Sequence, residues 1–165
     1  MKNKYIPIRY LPRSLKTKDK KKQLKMLVKS RKMYKNKKYF TRKKIPSFQS
    51  KISPHIIKAR KIYKTDKINP NTFLSQATGC SLSSLKQIVK KGEGAYFSSG
   101  SRPNQTAQSW GNARLASSIT GGKAAAVDFN IIEKGCSHSK KAYKLALSAK
   151  KKYGFGHGKT RKIMV

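Results

Sequence analysis

Positive charge is so abundant along this sequence that only one stretch, residues 92–133, is electrically balanced, and a folded nucleus meets least opposition there. Lys and Arg total 41 against 5 Asp and Glu, a net charge of +36. Self-repulsion on that scale opposes a compact free molecule, so an anionic partner or neighbouring subunits are expected to complete the structure. The charge is zoned. Residues 1–91 carry 28 basic side chains and two acids, Asp19 and Asp66. Residues 92–133 carry three of each, Arg102, Arg114 and Lys123 against Glu93, Asp128 and Glu133, and residues 134–165 carry ten cations and no acid. Lys outnumbers Arg by 33 to 8. An ammonium is a point charge suited to bulk attraction, whereas the guanidinium fork gives planar, bidentate recognition. The bias favours attachment over sequence reading.

A chain of 165 residues supports one modest domain with tails. No uncharged apolar run approaches the ~20 residues of a membrane-spanning helix, and no apolar stretch of signal-peptide length follows the N-terminus. Cys80 and Cys136 lie far apart and match no recognisable disulfide framework, so both are expected as thiols of a protein made in a reducing compartment.

Periodicity predicts a mainly α fold. Residues 17–34 read as a helix through Leu24, Leu27 and Val28. Tyr39 to Ser53, where Tyr39, Phe40, Ile45, Phe48 and Ile52 alternate with cations, reads as extended. Ser53-Pro54 is a helix start, an N-cap followed by proline at the first helical position. Residues 72–92 read as two helices around a turn at Gly79, stopping at Gly92. That outline fits a helix-turn-helix and equally a plain helical hairpin. Its second helix offers Ser and Lys rather than the Arg, Asn or Gln that read base edges, which disfavours a groove reader. Further helices are predicted over 104–120, capped by Asn104 or Thr106, over 123–134, stopping at Gly135, and over 139–153, ending at Gly154. The expected organisation is a Lys-rich N-terminal arm (1–71) containing helices and extended segments, a small helical core domain (72–153) and a short basic tail (154–165). The arm's electrostatic residues are taken to be Lys20, Lys21, Lys22, Arg31, Lys32, Arg42, Lys43 and Lys44.

Chemistry-bearing motifs are sparse. Gly156-His157-Gly158-Lys159-Thr160 ends like a phosphate-binding loop, but Tyr153 stands where that motif requires glycine. Cys136-Ser137-His138 makes one weak ligand pair where structural zinc sites use two. Ser98, Ser99, Ser101 and Ser109 cluster without a Gly-x-Ser-x-Gly frame. No catalytic residue, metal or cofactor is expected. In the balanced zone, Trp110 and Arg114 share a helical face at a spacing of four. Either Arg102 and Arg114 pair with Glu93 and Asp128 while Trp110 plugs the core, or Arg102 and Arg114 line an anion pocket. The equal number of acids and bases favours internal pairing.

The run GSRPNQTAQSWGNARLAS at 100–117, within Lys91 to Lys123, resembles the signature of a basic domain of unknown function carried by nucleocytoplasmic large DNA viruses. The Lys-rich segments Ser30 to Lys35 and Tyr39 to Lys44 resemble that family's N-terminal part. The resemblance implies a giant-virus protein with a role in the virion. Together with the charge it leads to the expectation of a non-enzymatic minor capsid protein, made in the host cytoplasm and held on the inner side of the shell. Its partners would be major and minor capsid proteins and either the genome or the anionic inner membrane, where each Lys or Arg near the surface contributes ~1 kcal/mol. The alternative is a sequence-independent DNA-binding or genome-packaging protein.

Overall fold

Side-chain caps fix the starts of two helices, at Pro54 and Thr72, where the sequence puts them. The computed structural model describes residues 5–155 and 160–165. Their elements run β1 (Tyr5–Pro7), α1 (Thr17–Lys35), α2 (Pro54–Tyr63), α3 (Thr72–Thr78), α4 (Leu82–Ser98), α5 (Ala107–Ile119), α6 (Lys123–Val127), α7 (Phe129–Gly135), α8 (Lys141–Tyr153) and β2 (Lys162–Met164). Ser53 caps α2, its hydroxyl accepting the His55 N–H with Pro54 in the first turn. Asn71 caps α3 by accepting the Leu74 N–H at 2.8 Å, and Gly79 ends it in the left-handed conformation at φ +72°. Among the described residues, no helix is long and apolar enough to cross a membrane.

The chain separates into two compact units. The first takes the described residues through Lys51, Gly94–Ala107 and the C-terminal end; the second takes Ile52–Glu93 and the residues from Gln108 to the end of α8. These units do not follow the expected organisation, with breaks after residues 71 and 153. The reason is local packing. Ala59 and Tyr63 of α2 belong to the core of the second unit, and β2 pairs antiparallel with β1, Ile6 opposite Ile163. The arm and tail expected from charge thus contribute regular elements to folded units.

In the first unit Ile6 is fully buried, and Leu15, Met26 and Ile45 form a small cluster with Phe40 and Phe48 against it. The stretch from Tyr39 to Ser53 forms no strand. Side chains hold it instead. Asn104 accepts the Ile45 N–H at 2.6 Å and donates to the Ile45 and Phe48 carbonyls, and Asp19 accepts the Ser47 N–H at 3.1 Å. Asn104, expected as a helix cap, is spent on this stretch at φ +62°.

The second unit is built on Leu74, Leu85, Ile88, Leu115, Ile119 and Ile132, with Ala142, Ala146 and Ala149 presenting the small face of α8. Two boundaries differ from expectation. Gly92 does not stop α4, which continues to Ser98. A methyl built on Gly92 would lie 2.6 Å from the Gly111 Cα, and one on Gly111 would lie 2.7 Å from the Val89 carbonyl oxygen. Both glycines are there so that α4 and α5 can touch backbone to backbone. Gly111→Ala is therefore expected to lower stability by about 1–3 kcal/mol, the usual range for overpacking. A thermal melt followed by circular dichroism checks it, and an unchanged midpoint would refute the close-contact account. The second difference is at 123–134, where two short helices meet at Asp128 (φ −97°, ψ 16°) in place of one continuous helix. The side chain of Asp128 is turned inward there.

The largest correction concerns the cysteines. Cys80 and Cys136, expected as thiols, form a disulfide across 56 residues of chain. They sit at the ends of α3 and α7, where the backbone makes an isolated antiparallel bridge. The Ser81 N–H donates to the Gly135 carbonyl at 2.8 Å, and the Ser137 N–H to the Gly79 carbonyl at 2.7 Å. Distance along the chain hid a pairing that the helix ends create.

Candidate functional site

Few acids must serve many cations, so the buried acid identifies where charge is handled internally. Asp128 is fully buried in the second unit. Its carboxylate accepts from Arg114 Nε and Nη2, both at 2.8 Å, from Lys91 Nζ at 2.8 Å and from Ser118 Oγ at 3.3 Å. Burial pushes the Asp128 carboxyl up, but the hydrogen bonds and charges of Arg114 and Lys91 outweigh that and hold it below its ordinary 3.8. One carboxylate thus neutralises one of two converging cations. Arg114 is bound in the fork geometry that matches a carboxylate, so its guanidinium is engaged by the protein itself. Lys91 remains partly exposed.

A second node lies in the first unit around Arg42. The sequence places this residue among the solvated charges of the arm, yet only 8% of it is exposed. Its guanidinium donates to Ser30 Oγ at 3.0 Å, to the Tyr96 carbonyl at 2.9 Å and to Ser101 Oγ at 2.7 Å, and sits 3.8 Å above the Tyr96 ring. Its own backbone N–H donates to the Tyr96 hydroxyl at 3.0 Å. Burial draws its pKa down, and the Tyr96 and Tyr10 rings oppose that. The partners are neutral oxygens and a π face, so this cation organises loops rather than meeting an outside ligand. Arg31 is similarly occupied, with Nε and Nη2 both on the Ser99 carbonyl.

The other arm cations face solvent. Lys21, Lys22, Lys32, Lys43 and Lys44 are exposed and Lys20 is half-buried. In the balanced zone, Arg102 is exposed and belongs to the first unit, while Trp110 is half-buried on α5 of the second. Arg114 and Asp128 are brought together; Arg102 is assigned to the other unit. Ser101 is buried beside Arg42, whereas Ser98 and Ser99 are exposed. Cys136 is consumed by the disulfide, and His138 stacks on Tyr143 at 3.9 Å with Nε2 on the Glu133 carbonyl. The phosphate-loop-like segment lies, apart from Thr160, outside the described residues.

Sequence reasoning missed Lys91 as a partner of Asp128, since 37 residues separate them. It also missed an outward group of rings, Tyr34, Tyr39 and Phe97, among the lysines of the first unit. Its signal was legible in part, because Tyr34 and Tyr39 bracket Lys35, Lys37 and Lys38 in the sequence.

Residues 7–134 match the family described as Family of unknown function (DUF5824). Searches of the curated proteins and of the solved structures return no match.

Proposed function

We propose that this chain, which belongs to the DUF5824 family, is a non-enzymatic structural protein of a large DNA virus. In this reading it is a small basic minor capsid protein that cements capsid subunits. On the inner side of the shell it meets the anionic membrane or genome. The observation that carries the reading is how the charge is distributed after folding. Asp128 is used up inside on Arg114 and Lys91, and Asp19 on the Ser47 backbone, while lysines such as Lys21, Lys22, Lys32, Lys43 and Lys44 stand in solvent. With a net charge of +36, the molecule needs neutralisation from outside. The viral assignment rests on the resemblance of the 100–117 signature and the two Lys-rich segments. Cations such as Arg114 and Arg42, held by the protein's own groups, serve packing, which favours attachment over turnover.

The second reading, sequence-independent DNA binding, draws on the same exposed lysines. Neutralising phosphates releases counterions and gives binding that weakens steeply with salt. Stepwise extraction of purified particles separates the two. Release of the chain with shell proteins by detergent and moderate salt is expected for the capsid role. Retention with viral DNA after the shell is removed would replace that role by packaging.

A further inference from the structure

Three aromatic rings stand together at the outside of the first unit. Tyr34 lies in the last turn of α1, Tyr39 just beyond it and Phe97 in the last turn of α4. Tyr39 meets Tyr34 at 6.1 Å and Phe97 at 5.1 Å, edge to face, and the Tyr34 and Phe97 planes are within 7° of parallel at 6.5 Å. Phe97 rests edge-on against buried Tyr96 at 5.0 Å, which ties the group to the interior. Yet Tyr39 is 68% exposed and Tyr34 36% exposed. Rings of this size normally contribute most when desolvated. Here Tyr39 in particular is left largely in water.

The connection between the two tyrosines is Lys35-Asn36-Lys37-Lys38, every residue exposed, and Lys32 is exposed in the turn before. That connection is fixed, not slack. The Lys38 N–H donates to the Met33 carbonyl at 2.9 Å and the Lys37 N–H to the Tyr34 carbonyl at 3.0 Å, the paired bonds of a helix C-terminal motif. Lys37 occupies its left-handed position at φ +56°, where glycine is the favoured residue. A cation is held where backbone preference argues against any side chain.

We propose that Tyr34, Tyr39 and Phe97, with Lys32, Lys35, Lys37 and Lys38, form a binding site for single-stranded nucleic acid, bases stacking on the tyrosines and phosphates meeting the lysines. Unpaired bases offer open π faces and carry a phosphate at every step, which matches rings interleaved with cations. A duplex hides those faces, and an acidic peptide would use the lysines alone. Stacking is indifferent to base identity, in keeping with a Lys-rich surface that lacks forked readers. The site goes beyond the capsid reading and shares with the DNA-binding reading only the class of partner.

Fluorescence anisotropy of the full chain tests it, with a labelled oligothymidylate and a duplex of equal length across a salt series. Tyr34→Ala/Tyr39→Ala is expected to weaken single-strand binding by about thirtyfold or more, from the ~1–3 kcal/mol that each of two stacked bases contributes. Duplex binding should stay within about twofold. Tyr39→Phe should bind like the parent, and Lys35→Ala/Lys37→Ala/Lys38→Ala should flatten the salt dependence on both ligands. Tyr39→Ala alone, at a mostly exposed position, keeps the test valid should the double variant fail to fold. Equal losses on both ligands, no loss on either, or a loss confined to phosphatidylserine vesicles would overturn the site. Salt-sensitive duplex binding by the parent chain would survive those outcomes, so failure of the site is distinct from failure of electrostatic attachment.

Discussion

Replacing Asp128 with alanine is expected to lower the unfolding free energy by about 3–5 kcal/mol, the usual consequence of removing one partner from a buried ion pair. Arg114 and Lys91 converge on this carboxylate at 2.8 Å, and without it two like charges would face one another with no counter-ion between them. The loss has a pH signature. The folded pKa lies below the unfolded value, so the stabilisation is fully present above about pH 4 and is lost as pH falls through the folded pKa. Urea unfolding at pH 7 and pH 3 reads both effects. The parent chain should lose stability between the two conditions, and the alanine variant should lose less, having already forfeited this contribution. A variant as stable as the parent at pH 7 would show that Asp128 is not the counter-ion its geometry makes it. The same experiment bears on function, because an internal clamp predicts that damage at this node appears as instability.

Breaking the Cys80–Cys136 bond should be of similar weight. Closing a loop of 56 residues restricts the unfolded chain by about 4 kcal/mol in the chain-entropy account. The backbone bonds Ser81 to Gly135 and Ser137 to Gly79 hold the two helix ends together in the folded state. Cys80→Ser/Cys136→Ser should therefore keep the helical circular dichroism at room temperature while its denaturant midpoint falls. Alkylation of the denatured, unreduced parent chain followed by mass spectrometry is the decisive control. Two alkylated thiols would remove the bridge. The bridge requires that the chain meet an oxidant at some stage, which synthesis in a reducing compartment does not supply.

Helix existence was legible wherever a cap and an apolar stripe agreed. Ser53-Pro54 placed the start of α2, Gly79 the end of α3, and Leu24, Leu27 and Val28 placed α1. Failures came where one residue type serves two physical roles. Gly92 reads as a stop in sequence and acts as a contact surface for Gly111 in the fold. Asp128 reads as a tolerable helix residue, but satisfying its buried carboxylate interrupts the helix between α6 and α7. Arg42 reads as one more cation in a basic segment, and nothing local announces the cage of Ser30, Tyr96 and Ser101 around it. Those partners lie 12, 54 and 59 residues away. The candidate nucleic-acid site was half visible as tyrosines among lysines; Phe97 joined it only through folding.

The pairing of β1 with β2 has a consequence for how the chain is made. Tyr5–Pro7 finds its strand partner only when Lys162–Met164 has left the ribosome. Tyr5–Pro7 and the Lys-rich residues after it must therefore wait, incompletely closed, until that later segment emerges. During that interval those lysines are open to whatever polyanion is at hand, and the order of synthesis becomes a factor in which partner reaches them first.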